Sequence, residues 1–515
     1  MPLLFIITLC FLLIACDAQV GNPSRLIAPA INAEENNPGG ESSVSFQPFP
    51  SFQLPAANIA NELRPDFYAG QALANQPWVK APTITTARDG LGPIYNARTC
   101  LTCHVKGGKG FIPADNKTTL TSTLVRLSTL PTFSTLETAD QLHKLKISGS
   151  LPNPIYGDQI QSQSVSLAHQ LRHSQKPGTL KHDVAPEAYI HINWQEKIFT
   201  YPDQHPDQHT VSLRSPELDF KYLGYGDISS VNNSAGNKGS VNEGTVFSLR
   251  VAPMIHGMGL ISLISDEDIL ALSDENDSNQ DGISGRPNQV WDVEKQITAL
   301  GRFGLKSNKP TLEMIVAGAF TNDLGITNSL EPNQPCTELQ PTCLNMPDGN
   351  DEEGVELPDH LLKLVVNFNR NLAPVIRRNP GNKNVLAGRE LFYQSGCQQC
   401  HNPSFTTQKS TEFPHLSEQR IWPYSDFLLH DMGPDLADGR PDFLATGNEW
   451  RTPPLWGIGL LAQVNGMATL LHDGRARSVE EAIIWHGGEA ELAKNRFVLL
   501  DKQDRDRLIQ FVNSL

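Results

Sequence analysis

Hydrophobic and polar residues divide the chain into stretches of different character. Residues 3 to 15, Leu3 to Ala15, form a nearly unbroken apolar run, too short to span a bilayer as a helix and placed where the h-region of an export signal belongs. From 17 to 60 the chain is rich in Asn, Pro, Ser, Gly and Ala, with no helical or strand period, which predicts a flexible tether. Alternation appears in Ala188-Tyr-Ile-His-Ile-Asn-Trp194 and again in Thr210-Val-Ser-Leu-Arg214, predicting two strands with a turn between them. Leu361-Leu-Lys-Leu-Val-Val-Asn-Phe368 has the look of a buried helix, and Asn379-Pro-Gly-Asn382 breaks the chain after it. Near the end, Ser478-Val-Glu-Glu481 is a capping box opening a helix, and Leu508, Phe511, Val512 and Leu515 share one face of a last helix.

Two patterns occur twice. Ala69-Gly70-Gln-Ala-Leu73 echoes Ala387-Gly388-Arg-Glu-Leu391, and the string Leu249 to Leu260 echoes Trp450 to Leu460 with one extra residue in the first copy. Between the members of each pair lies a pentad, Cys100-Leu-Thr-Cys103-His104 or Cys397-Gln-Gln-Cys400-His401. Cys-x-x-Cys-His is the attachment signature of c-type haem: both thiols add to the porphyrin vinyl groups and the histidine becomes the axial iron ligand. A zinc half-site or a thioredoxin-like pair would need a second ligand pair or a βαβ setting, and neither context surrounds the pentads. Two covalently bound haem c groups are therefore expected. The expected fold is mainly α, with two cytochrome c-like haem domains from an internal duplication, the first enlarged by a small β insertion. The boundaries read as a signal with lipobox over 1–16, the tether over 17–60, an N-terminal haem domain over 61–350 and a C-terminal one over 380–515.

With 515 residues, 39% of them hydrophobic and 19% charged, the chain has the composition of a soluble protein of two or three domains rather than a membrane bundle. A net charge of −15 disfavours nucleic acid and anionic lipid and suits a basic or neutral partner. Of eight cysteines, four belong to the pentads, and Cys10 and Cys16 to the leader. Cys336 and Cys343 are left, either a small disulfide, as export favours, or two unpaired buried thiols. Leu13-Ile14-Ala15-Cys16 resembles a bacterial lipobox, which predicts a periplasmic protein held to a membrane only by a lipid on Cys16; the alternative is a plain cleaved signal. Asp277, Asn279 and Asp281, followed by Gly282, match the first half of a calcium loop, though position 12 is Asn288; an Asx-rich turn gives the same string.

Several longer strings carry a family resemblance: Asp89-Gly-Leu-Gly-Pro93, Asp281-Gly-Ile-Ser-Gly-Arg-Pro-Asn288, Leu300-Gly-Arg-Phe-Gly304, Tyr424-Ser-Asp-Phe-Leu-Leu-His-Asp-Met-Gly433, Glu449-Trp-Arg-Thr-Pro-Pro454 and His472-Asp-Gly-Arg475. From about residue 60 to the end the chain resembles the bacterial di-haem c-type oxidoreductases of the peroxidase-like, or thiol oxidoreductase-like, group, relatives of the di-haem cytochrome c peroxidases. The resemblance implies reduction of hydrogen peroxide with electrons from a small cytochrome c or cupredoxin, or peroxide-driven oxidation of a protein target. The rival reading is a pure electron-transfer di-haem cytochrome.

In the peroxidases a Met before the Phe-Lys/Arg-x-Pro string ligates the C-terminal haem. Glu449 stands at that place here and Ser248 in the first half, so Met432 and Met467 are the thioethers that could serve instead, or simply pack in the core. His256 is the candidate distal acid/base at the first haem, the alternative being a structural histidine. With no capping ligand evident there, the first haem is expected to face the substrate.

Overall fold

The structure is a computed structural model and describes residues 26–49, 51–85, 88–130, 139–166, 184–202, 209–226 and 244–515. The apolar leader with Cys16, and the tether as far as residue 25, lie outside the described residues.

The helices that frame the molecule start from ordinary capping chemistry. α1 (Arg64–Asn75) carries Pro65 in its first turn. α2 (Leu312–Leu324) is capped by Thr311 Oγ1, which accepts from Met314 N, and is apolar almost all round because it lies in the core. α3 (Asp359–Arg370) is amphipathic; α4 (Lys383–Gln394) and α5 (Lys502–Ser514) are capped by Asn382 and Asp501. One packing arrangement then occurs twice. α1 crosses α3 where a Cβ on Gly70 would stand 1.9 Å from Leu364 O, and α4 crosses α5 where a Cβ on Gly388 would stand 1.9 Å from Arg507 O. Only glycine lets the backbones approach so closely. Phe67 meets Phe368 beside the first crossing and Phe392 meets Phe511 beside the second, each pair with ring centroids 5.3 Å apart.

The remainder departs from the mainly α pair of cytochrome c-like domains that the sequence predicted. The chain is 31% helix and 20% strand, and its described strands make six separate two-stranded antiparallel sheets. β1 (Thr123–Thr129) pairs along its whole length with a later strand, and β2 (Ala188–Thr200) forms a long hairpin with β3 (Thr210–Leu223). The partner of β1 is β4 (Thr245–Val251); further on, β5 (Leu429–Asp431) pairs with β6 (Glu449–Arg451). The correction has a physical cause. β4 does alternate, Phe247, Leu249 and Val251 against Ser248 and Arg250, but it is buried on both faces and its partner β1 lies far earlier in the chain, so no local hairpin signal marks the pairing.

Residues 26–60 also depart from the expected tether. Backbone bonds lay them along the segment 371–377 between α3 and α4: Val44 N to Pro374 O at 3.0 Å, Ile376 N to Val44 O at 2.9 Å, Ala373 N to Leu54 O at 3.0 Å and Ala56 N to Asn371 O at 2.8 Å. Glu35 and Phe52 are each 1% exposed. Few apolar side chains are needed when the neighbouring backbone satisfies the strap's own polar groups.

The two halves share cores. The cluster around α2 takes in Phe405, Phe427 and Trp456, and the cluster around α5 takes in Phe52, Tyr201 and Leu213. Among the described residues no helix is long and apolar enough to cross a membrane.

Candidate functional site

Between these cores lies one cavity of about 1270 Å³ whose wall includes Cys100, Cys103 and His104 as well as Cys397, Cys400 and His401. It exceeds the roughly 300–1,000 Å³ of an ordinary small-molecule site, and it reaches both pentads.

Each pentad is a short helical turn that delivers its histidine to the cavity wall. Thr99 Oγ1 caps the first, accepting from Thr102 N at 3.0 Å. His104 Nδ1 then donates to Pro253 O at 2.7 Å, and that carbonyl is set by the buried strand β4, which ends two residues before it. At the second pentad, His401 Nδ1 donates to Tyr424 O at 2.9 Å. With Nδ1 committed to a carbonyl, the lone pair of each imidazole sits on Nε2, the tautomer that suits a metal ligand. Burial holds both rings neutral, lowering the His104 pKa and bringing that of His401 down to about 4.

The four pentad thiols are not joined in disulfides. Burial pushes Cys100 and Cys397 up to about 12 and raises Cys103 and Cys400 as well. A dithiol built for disulfide exchange has the opposite shift. Paired unreactive thiols, a neutral imidazole with an available Nε2 and a large cavity beside them together fit covalent haem.

The repeated strings meet face to face. His256 and Trp456 occupy matching places in the two copies, and His256 Nε2 lies 3.3 Å from Trp456 O. Gly257 and Gly457, both at φ 77, give room for the opposite ring: a Cβ on Gly257 would stand 2.3 Å from Trp456 Cζ2, and one on Gly457 3.1 Å from His256 Nε2. His256 is 1% exposed and stacks on Phe52 at 4.7 Å. Burial brings its pKa down to about 4.

At the second pentad, His430 lies between two carboxylates, with Nε2 2.8 Å from Asp426 and Nδ1 2.7 Å from Glu489. Burial alone would lower its pKa, but the sulfur of Cys400 and the Asp426 carboxylate hold it well above the usual range. His472 stacks on Trp450 with centroids 3.6 Å apart, while neighbouring Asp473 pairs with Arg475 at 2.7 Å.

The candidate distal ligands separate. Met432 lines the cavity; Met467 does not, and is 39% exposed. Glu449 is held away by Arg286, whose Nε and Nη2 reach its two oxygens at 2.7 and 3.1 Å. In the loop of Asp277, Asn279 and Asp281 the side-chain oxygens already accept amides: Gly282 N on Asp277, Asp281 N on Asn279 and Ile283 N on Asp281. Among the described residues no group of three or more His, Cys, Asp or Glu could hold a metal ion. Cys336 and Cys343 are joined in a disulfide, with Cα atoms 5.8 Å apart.

Sequence reasoning missed the two carbonyls that orient the histidines. Pro253 lies inside a repeated string and Tyr424 opens one of the family strings, so both could have been suspected. It also missed Asp323, a cavity residue whose carboxyl accepts from Gln159 Nε2 at 2.8 Å and is pushed up by burial.

Two histidine-bearing turns open on this one cavity. The chain belongs to the family described as "di-haem oxidoreductase, putative peroxidase", whose model matches residues 33–515. A search of curated proteins found no match.

Proposed function

We propose that the chain carries two haem c groups in thioether linkage and uses them to reduce hydrogen peroxide. Cys100 and Cys103 would hold one, with His104 as iron ligand, and Cys397 and Cys400 the other, with His401. The observation that carries this reading is the single cavity reaching both pentads, with each histidine already in the tautomer that leaves Nε2 for a metal.

Bound haem supplies an iron at which the O–O bond is broken and a second iron from which an electron is passed on. The chain's own residues do the rest. Pro253 and Tyr424 orient the two imidazoles and raise their basicity through the Nδ1 hydrogen bonds. His256, neutral at pH 7, lies beside the Gly107 carbonyl and contacts the Trp456 carbonyl through Nε2, so Nδ1 carries the lone pair of the ring. That nitrogen can accept a proton from an arriving peroxide. Asp323 lines the same cavity, its carboxyl raised by burial. Phe52 and Trp456 beside His256 exclude water. These groups support the first pentad as the substrate-facing site.

The apolar leader and Cys16 support export to the periplasm and a lipid anchor. The charge of −15 supports a basic or neutral small cytochrome c or cupredoxin as electron donor; an oxidisable protein target would be the substrate if peroxide is the oxidant. Calcium is not carried into the proposal, because its oxygens are engaged by amides.

The test is an EPR and optical spectrum of the fully haemylated protein, as isolated and half-reduced, before and after peroxide. A high-spin ferric signal that peroxide removes, with peroxide consumed at many turnovers, is the expected result. Two low-spin irons indifferent to peroxide would leave an electron carrier.

A further inference from the structure

We propose that the N-terminal strap from Pro29 to Phe52 is a brace for the second haem site, with Glu35 the positioning residue that acts on His401 through Tyr424. The proposal rests on the reading of His401 as an iron ligand.

Glu35 draws together three parts of the chain that surround the second pentad. Its Oε1 accepts from the Tyr424 hydroxyl at 2.5 Å and from Arg377 Nη1 at 2.5 Å, and Oε2 lies 3.1 Å from Arg389 Nε. Arg377 belongs to the segment joining the halves, Arg389 to α4 just before the pentad, and Tyr424 to the loop whose carbonyl receives the His401 proton. Neighbouring backbone completes the seat: Arg389 Nη1 donates to Pro29 O at 2.9 Å, Arg377 N to Asn36 O at 2.9 Å and Trp422 N to Pro38 O at 2.7 Å. A carboxylate this deeply buried is tolerable only with its cations in place, so the strap has one register on the body.

Tyr424 is the residue that needs a brace. Its φ is 54, a left-handed conformation that a bulky residue keeps only when its surroundings over-determine it. The side chain is the handle: its ring packs against Phe392 and Phe511, each at 5.8 Å, and its hydroxyl is tied to Glu35. That twist aims the carbonyl at His401, and the strength of the resulting hydrogen bond sets imidazole basicity and thereby the potential of the iron. The first site needs no such device, because a proline ring fixes φ at Pro253.

The experiment uses full-length holoprotein: wild type, Glu35→Gln, Tyr424→Phe and the double variant. Haem content is read from the intact mass and midpoints from an optical redox titration. The second-site haem is identified by its absence from C397S/C400S protein. Expected is an upward shift of the second-site midpoint alone. The shift should be larger in E35Q, which leaves Arg377 and Arg389 without their anion and also frees Tyr424. It should be smaller in Y424F, which keeps ring and backbone, and the double variant should shift no further than E35Q. An unmoved second-site midpoint, or equal movement at both sites, overturns the brace. Should E35Q fail to fold, Y424F decides by the same readout. Wild-type protein lacking a haem on Cys397 and Cys400 would overturn the underlying reading instead, and the mass shows that before any variant is titrated.

Discussion

At the first pentad the carbonyl that receives the histidine proton comes from Pro253, at the end of a fully buried strand. At the second it comes from Tyr424, whose left-handed backbone is tied by its hydroxyl to a distant strap. The cavity-facing groups differ in the same sense. His430, beside Cys400, has both ring nitrogens bound to carboxylates, whereas His256 meets only backbone carbonyls, those of Trp456 and Gly107, and Asp323, a carboxyl raised by burial, lines the same cavity. The helix crossings around the two sites are nevertheless the same to a tenth of an ångström at Gly70 and Gly388. A repeated frame thus holds two differently wired surroundings, the second tied into ion pairs around His430 and Glu35.

The comparison is tested most severely by removing one centre at a time. C100S/C103S and C397S/C400S should each lower haem content from two per chain to one, read from the intact mass. The first variant should lose peroxide reduction outright. Residual peroxide turnover in C100S/C103S protein, with none in the other, would reverse the assignment of roles. Next in size is His256→Ala. General acid–base groups contribute about 10²–10⁴-fold, so kcat/KM for peroxide should fall by about that factor while both haem spectra stay unchanged. His472→Phe should leave the rate within about threefold, because a ring stacked on Trp450 is replaced by a ring. Equal losses in the two would mean that His256 is not the proton-transfer group.

The shared frame can be probed in the opposite direction. An alanine at Gly70 or Gly388 must push helices apart by more than an ångström to relieve a 1.9 Å approach. Overpacking of this kind costs about 1–3 kcal/mol, occasionally more. Thermal unfolding of the two variants should show losses of similar size. A large loss in one and none in the other would mean that the two crossings do different work.

What could be read from sequence follows from how each feature is encoded. The hairpin, the buried helix near 365 and the capping box at Ser478, whose Oγ accepts from Glu481 N at 3.1 Å, are local signals and appear where expected. The fold class was misjudged because β4 pairs with a strand far earlier in the chain and no hairpin turn joins them, and the strap because its anchor is one glutamate whose partners are 342, 354 and 389 residues away. The role of Tyr424 was missed although its string was noticed, because a backbone carbonyl carries no residue signature. Glu449 was reasonable as a ligand candidate by position, but its partner Arg286 lies 163 residues earlier.

His472 gives the smallest effect and the cleanest contrast with His430. Burial brings the His472 pKa from 6.5 down to about 4. Between those values the unfolded chain binds a proton that the folded one refuses, so stability falls as pH drops below 6.5, and the loss is complete near pH 4. From pH 7 to 5.5 the contribution is about 1 kcal/mol at 1.36 kcal/mol per pKa unit. His430 is displaced the other way, so its contribution is present below 6.5 and is lost only as pH rises through its elevated folded value. Denaturant unfolding of the holoprotein at pH 7 and 5.5 should therefore show a smaller acid loss in His472→Phe than in wild type. The difference should be about 1 kcal/mol, with His256 still contributing its own share in both proteins. An identical acid loss would mean that His472 takes up its proton in the folded state, and that the stack on Trp450 is made by an imidazolium.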